Sequence, residues 1–69
     1  MTQVEAEMTA TIWKLTVADG DVVDAGQTIA ILESMKMEIP VESPSAGVVR
    51  FTVIEGAEVA EGDVIASIE

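Results

Sequence analysis

The chain has 69 residues, enough for one small domain spanning 1–69, and it contains neither cysteine nor histidine. A domain of this size has a marginal core, and without disulfides or a histidine-held metal it depends on regular packing of its apolar residues, which make up 49% of the sequence. Thirteen acidic residues against three basic ones give a formal net charge of −10, which argues against binding nucleic acid or an anionic membrane surface, because both need basic patches.

The predicted elements are short β-strands separated by turns. In chain order they are 12–17, 27–32, 39–41, 48–54 and 64–68, all rich in β-branched or other apolar residues. Ile39 and Val41 alternate with charged residues and proline, which indicates a half-exposed strand. Glycines between the runs permit tight turns, and Pro40 and Pro44 argue against a helix through this region. The sequence therefore predicts an all-β domain.

The two halves of the chain repeat each other. A shift of 36 residues gives eight identities in eighteen positions, and upstream it matches Ala10 to Ala46 and Ile12 to Val48 more loosely. Such a repeat predicts two copies of one supersecondary unit, related by a pseudo-twofold axis, with residues 10–33 superposing on 46–69. The identical pairs are Thr16/Thr52, Val17/Val53, Gly20/Gly56, Val23/Val59, Gly26/Gly62, Ile29/Ile65, Ala30/Ala66 and Glu33/Glu69.

The segment Glu33–Glu38 lies between the two halves and carries Lys36, one of only two lysines in the chain. A helix is the alternative for this segment, but six residues between strand-like runs are too few to form a stable helix. We predict a two-residue hairpin turn instead, and its placement with Met35 and Lys36 at the centre is implied by the resemblance of Met35-Lys36-Met37 to the attachment motif of biotinyl domains, since local propensities alone do not select these two residues. Both residues then need positive φ, which is strained for side chains other than Asn or Gly. The repeat also predicts that Lys36 and the chain termini lie at opposite ends of the domain.

Met35-Lys36-Met37 resembles the biotin attachment motif of biotinyl domains. The longer stretch from Glu33 to Val41 resembles small stand-alone biotin/lipoyl attachment proteins of the biotin carboxyl carrier type, and the similarity runs from about Met8 to the end of the chain. The resemblance implies a flattened β-barrel or sandwich of two four-stranded antiparallel sheets, a barrel-sandwich hybrid. The protruding thumb of some carboxylase carriers has no counterpart here, because no insertion separates the first two strands.

The resemblance also implies a function. Lys36 would be covalently biotinylated and would carry carboxylate between the active sites of a biotin carboxylase and a carboxyltransferase, after modification by a biotin protein ligase. The carrier itself would be a substrate and not an enzyme. The residue inventory agrees, because it holds no histidine, no cysteine and no phosphate-binding loop.

Four other residues are candidates for the cofactor-attachment site. In the resemblance, methionines on both sides of the lysine favour recognition by biotin protein ligase, and Met35 and Met37 match them. The structural alternative is that at least one of the two covers the end of the barrel, since packing is the common role of methionine. Ser34 stands where alanine is commoner in biotin sites. Glu33 and Glu38 are both interpreted as solvated strand ends. For Glu33 the functional alternative is a contact with the docking ligase.

Trp13 and Ala10 are expected to matter for the structure and not for the site. Trp13, on a predicted strand, is expected to be a packing residue. Ala10 occupies a place where the family usually has glycine, so the geometry of the first turn is expected to differ.

Two rival functions stay open at this stage. A lipoyl carrier is the first, although lipoyl domains usually have an acidic residue before the lysine and often alanine after it. The second is an unmodified β-domain that serves as an interaction module.

The sequence also gives expectations for the location and extent of the protein. The cysteine-free composition and the polar residues after Met1 favour the cytoplasm. No apolar run approaches the ~20 residues needed to span a bilayer. The early start of the β pattern favours a complete small protein.

Overall fold

The computed structural model describes residues 2–69, and this part of the chain folds entirely into strands, turns and loops. None of it forms a helix, so it holds no helix able to cross a membrane. The eight strands are β1 (Thr2–Glu5), β2 (Ala10–Leu15), β3 (Val22–Val23), β4 (Thr28–Ser34), β5 (Met37–Glu42), β6 (Gly47–Phe51), β7 (Glu58–Val59) and β8 (Val64–Ile68).

The strands form two four-stranded sheets with the orders β1-β8-β6-β3 and β5-β4-β2-β7, and every pairing is antiparallel. The two sheets enclose a core of small and β-branched side chains. Ile12, Ile29, Val49 and Ile65 are fully buried in it. The predicted all-β class with two four-stranded antiparallel sheets is confirmed.

The internal repeat is visible in the topology. Exchanging β1 with β5, β2 with β6, β3 with β7 and β4 with β8 converts the order of one sheet into the order of the other. Backbone contacts repeat as well, since the Thr16 N–H donates to the Ile29 carbonyl at 3.0 Å and the Thr52 N–H donates to the Ile65 carbonyl at 2.8 Å. The predicted pseudo-twofold arrangement is therefore present, and it places the β4–β5 hairpin and the chain termini at equivalent, opposite ends.

The register of the repeat differs from the prediction before residue 14. Lys14 corresponds to Arg50, as expected, but Ile12 corresponds in its strand pairing to Val49. Trp13 is an additional residue in β2, at a β-bulge between Ile12 and Lys14, and β6 has no counterpart for it. The predicted superposition of 10–33 on 46–69 is therefore correct only for 14–33 on 50–69. Matching the chain to itself at a constant shift of 36 residues allows no insertion, so it could not reveal a one-residue bulge.

The same shift corrects the partner of Ala10. Ala10 pairs with Val59, and Gly47 pairs with the equivalent Val23, so Ala10 matches Gly47 and not Ala46. Gly47 has φ of 155°, whereas Ala10 is not among the residues with positive φ. The backbone at Ala10 therefore differs from that at its counterpart Gly47.

Strand lengths differ from the sequence prediction at several ends. β8 matches its predicted bounds, whereas β2 ends at Leu15 and β6 ends at Phe51, before the runs of apolar residues end. In both places the next threonine turns its hydroxyl back to a backbone carbonyl, and Thr16 and Thr52 make these bonds at 2.8 and 2.7 Å. β1 and the two-residue strands β3 and β7 were not predicted, because they are too short to show a periodic pattern.

Gly47 gives a test of the close packing at the chain termini. A Cβ at this residue would lie 2.8 Å from Ile68 Cγ2 and would clash with the carbonyl oxygen of Glu69. We expect Gly47→Ala to lower the free energy of unfolding by about 1–3 kcal/mol, from overpacking together with an unfavourable φ. Gly26→Ala is the control, because φ is also positive there but nothing lies within 4 Å of the added Cβ. Urea unfolding should show the smaller loss for Gly26→Ala, and equal losses would contradict the packing argument.

Candidate functional site

The β4–β5 hairpin presents Lys36 at its tip. β4 and β5 pair in continuous register from Ala30↔Val41 to Ser34↔Met37, which leaves Met35 and Lys36 as the two turn residues. Their φ angles are 49° and 68°, and they are the non-glycine residues with positive φ in 2–69. This is the geometry that a two-residue hairpin matching the twist of its strands requires. The predicted turn is confirmed, although its sequence lacks the usual Asn-Gly.

The side chains around the tip are open to solvent. Met35 is 92% exposed and Met37 is 62% exposed, and Lys36 is also exposed. These two methionines therefore do not cover the end of the barrel, which was the structural alternative for them. Apolar side chains this exposed contribute little to the stability of the isolated domain.

The tip of the hairpin is separate from the groove that the structure shows. This groove has a volume of about 450 Å³ and lies between β1 and β5, with Leu32 at its base and the glutamates 5, 7 and 42 on its lining. None of residues 33–38 lines it. The amine of Lys36 therefore stands on a projecting turn and not inside a cleft that could surround a reacting group.

Ser34 connects the hairpin to the loop before β2. Its Oγ donates a hydrogen bond to the Thr9 carbonyl at 3.3 Å, and its side chain is partly buried. An alanine at this position could not make the contact. Thr9 was not a candidate from the sequence, because a backbone carbonyl 25 residues away leaves no signal in the pattern of side chains. Ser34 thus holds the base of the turn, one residue before the two strained positions.

The two glutamates of the segment face each other across the hairpin. Glu33 and Glu38 are directly opposite in the strand register, and both are exposed. Like charges in this position repel each other and weaken the pair of strands. Both side chains are solvated strand ends, as predicted, and they place a local concentration of negative charge beside Lys36.

The two ends of the domain that the pseudo-twofold axis relates differ in their ion pairs. The end with Glu69 has ion pairs that the described residues of the hairpin end lack. Glu69, the equivalent of Glu33, accepts from Arg50 Nε at 3.1 Å, and Arg50 also lies 3.7 Å from Asp19. Within residues 2–69 these are the ion pairs that the structure contains. Glu33, near the tip, makes none of this kind, so its charge is available to an approaching molecule.

Lys14 is the equivalent of Arg50 under the repeat and would therefore be the partner of Glu33. Instead, Lys14 Nζ lies 5.3 Å from the centroid of the Trp13 ring. This distance is within the range of a cation–π contact. Trp13 is 43% exposed and lies at the bulge, outside the buried core, and the contact it makes on the outer face is with the Lys14 side chain. The bulge turns two successive residues to the outer face, and strict alternation would have put Trp13 on the opposite face to Lys14.

Taken together, these contacts define an exposed primary amine on a rigid turn, flanked by exposed thioethers and carboxylates. The described side chains around it include no imidazole, no thiol and no cation besides Lys36 itself. Such a site has one reactive group, and it can be acylated by an external enzyme.

Comparison with known proteins agrees with this geometry. The model of the biotin/lipoyl family, described as "Biotin-requiring enzyme", matches residues 2–68. The chain therefore belongs to the biotin/lipoyl attachment family. It is 46% identical over 63 residues to the biotin/lipoyl attachment protein of Bacillus subtilis, with 90% of this chain and 86% of that protein covered. It is 42% identical over 66 residues to the biotinylated protein TB7.3 homolog of Mycobacterium leprae, with 94% and 93% covered.

A solved structure shows the same fold inside a much larger protein. Kluyveromyces lactis urea carboxylase superposes with a TM-score of 0.89 at 35% identity, covering 97% of this chain and 6% of that chain. The predicted family, the cofactor biotin and the carrier function are confirmed, and the chain is a small biotin carrier domain that is non-catalytic on its own.

Proposed function

We propose that Lys36 is the residue to which biotin is attached, and that the domain carries carboxylate between a biotin carboxylase and a carboxyltransferase. The observation that supports this most is the pair of positive φ angles, 49° at Met35 and 68° at Lys36. Such strain persists only where the surrounding structure holds it, and it commonly marks a functional position. Here it makes the lysine the outermost point of a turn between two paired strands.

The chemistry needs only the lysine amine from this chain. Lys36 Nζ would first lose a proton and then attack the carboxyl carbon of a biotin that the ligase has activated with ATP; the bond from that carbon to the activating group would break, and the nitrogen would release a second proton as the uncharged amide formed. Bound biotin would supply a ureido ring able to hold a carboxylate. The chain's own part is to hold the base of this long arm still, through the hairpin register and the Ser34–Thr9 bond, while the arm itself swings.

The partners are part of the same proposal. A biotin protein ligase would recognise Met35 and Met37 as apolar contacts and Glu33 as a charged one, since all three are exposed around Lys36. The fold of this domain recurs within urea carboxylase, which supports a carboxylase as the system it serves. The domain would act as one unit over 1–69, and the cytoplasmic location expected from the cysteine-free sequence belongs to this proposal.

The proposal is tested by transfer of labelled bicarbonate. The intact mass of the native protein should show one biotin, which separates this function from a lipoyl carrier and from an unmodified module. The biotinylated protein should then acquire label only when a purified biotin carboxylase, ATP, magnesium and bicarbonate are all present. Label acquired without the carboxylase would overturn the carrier role.

Met35 offers a second test, of the choice of cofactor. Met35→Asp gives the site an acidic residue before the lysine, as in the lipoyl pattern, and the fold should be unaffected because the side chain is 92% exposed. We expect the rate of biotinylation to fall by roughly tenfold, equivalent to the loss of about 1.4 kcal/mol of transition-state binding, with some gain in lipoylation. Initial rates with purified biotin and lipoyl ligases give the comparison. Unchanged biotinylation would show that Met35 takes no part in recognition.

A further inference from the structure

We propose that Met35 and Met37 form a reversible oxidation site that controls whether Lys36 can be biotinylated. The inference rests on the proposed function of Lys36 and adds to it a redox modification of the neighbouring residues. Its starting point is the sulfur content of the chain: there is no cysteine, so all of the sulfur belongs to the four methionines.

The methionines differ greatly in position. Among the described ones, Met35 is 92% exposed, Met37 is 62% exposed and Met8 is 42% exposed. Oxidation of a thioether depends on access by the oxidant, because the sulfur atom attacks the oxidant directly. The two most accessible of these methionines are therefore the two that flank the acceptor lysine.

The reaction needs only a peroxide. The thioether sulfur attacks one oxygen of hydrogen peroxide, the O–O bond breaks, and the products are a methionine sulfoxide and one water molecule. The sulfur loses two electrons and the peroxide gains them. Thiol-dependent methionine sulfoxide reductases return the sulfoxide to the thioether, with one enzyme for each sulfoxide epimer, so the change is reversible.

The consequence for recognition follows from polarity. An exposed apolar side chain beside the acceptor is useful to a ligase only if the ligase buries it, and a sulfoxide oxygen carried into an apolar contact must lose its hydrogen bonds to water. Both methionines lie outside the core, so the domain stays folded when they are oxidised. Oxidation would therefore slow attachment without damaging the carrier.

The experiment compares biotinylation before and after peroxide treatment of the unmodified protein, with purified biotin protein ligase. Peptide mapping should show sulfoxide at residues 35 and 37, and kcat/KM should fall roughly tenfold, equivalent to about 1.4 kcal/mol. Incubation with both methionine sulfoxide reductases should restore the untreated rate. Full activity of a protein oxidised at both residues would overturn the inference, and so would oxidation that spares these residues.

Two variants separate this effect from general damage. The double variant Met35→Leu, Met37→Leu cannot be oxidised next to the lysine, so its own rate should be the same before and after peroxide. Met8→Leu should keep the full sensitivity of the natural protein. Loss of activity on oxidation of the double variant would place the sensitive group elsewhere and overturn the inference. The proposed function fails separately, if the untreated protein is not biotinylated on Lys36.

Discussion

Replacing Lys36 by arginine is expected to abolish biotinylation completely. The guanidinium group keeps the positive charge but does not form the amide that biotin attachment requires. Lys36 is exposed at the tip of the turn and makes no ion pair with the described residues, so the fold and the stability of the domain should be unchanged. Streptavidin binding after incubation with biotin, ATP and biotin protein ligase is the measurement, with circular dichroism to confirm folding.

Lys14→Arg is the matched control for this experiment. Lys14 is the other lysine of the chain, and its ammonium group lies over the Trp13 ring at 5.3 Å. Arginine preserves the contact with the aromatic ring, and we expect full biotinylation of this variant. Continued streptavidin binding by the Lys36→Arg protein would show that another amine is the acceptor, and peptide mapping would then locate it.

The class of fold and the position of the Lys36 hairpin between the two halves were predictable from the sequence. The identical pairs of residues from Thr16 to Glu69 are separated by a constant spacing, and they include the turn glycines and the core isoleucines. Strand, turn and next strand therefore repeat in the same order, and this fixes Lys36 between the halves. The placement of the turn at Met35 and Lys36 came from the resemblance to the biotinyl attachment motif, because the predicted strands 27–32 and 39–41 leave six residues between them and local propensities do not select two of these as the turn.

Other features depended on contacts that no local pattern records. The bulge at Trp13 leaves two successive side chains, Trp13 and Lys14, exposed on the outer face, and it became visible only from the pairing of β2 with β4. The hydrogen bond from Ser34 to the Thr9 carbonyl joins positions far apart in the sequence. The ion pairs of Arg50 likewise distinguish two ends of the domain that the repeat makes equivalent. Each of these is a tertiary interaction that shifts or supplements a local preference.

The second large effect is expected in the core, where the internal symmetry makes a quantitative prediction. Ile29 in β4 and Ile65 in β8 are equivalent under the repeat, and the relative exposure of each is 0%. Truncating either to alanine removes buried methyl and methylene groups and leaves a cavity, so each should cost about 2–5 kcal/mol of unfolding free energy. A domain of this size has a total stability of roughly 3–10 kcal/mol. Either substitution therefore brings the protein close to unfolding.

Because the two isoleucines occupy matching environments, Ile29→Ala and Ile65→Ala should cost nearly the same. Urea unfolding monitored by circular dichroism measures both, and Ile54→Ala is the control, since Ile54 is 75% exposed and should change stability by no more than about 0.5 kcal/mol. A difference above roughly 1.5 kcal/mol between the two core variants would contradict the equivalence of the halves. If they agree, each half contributes equally to the core, and the hairpin that carries Lys36 is held by the same packing that holds the chain termini.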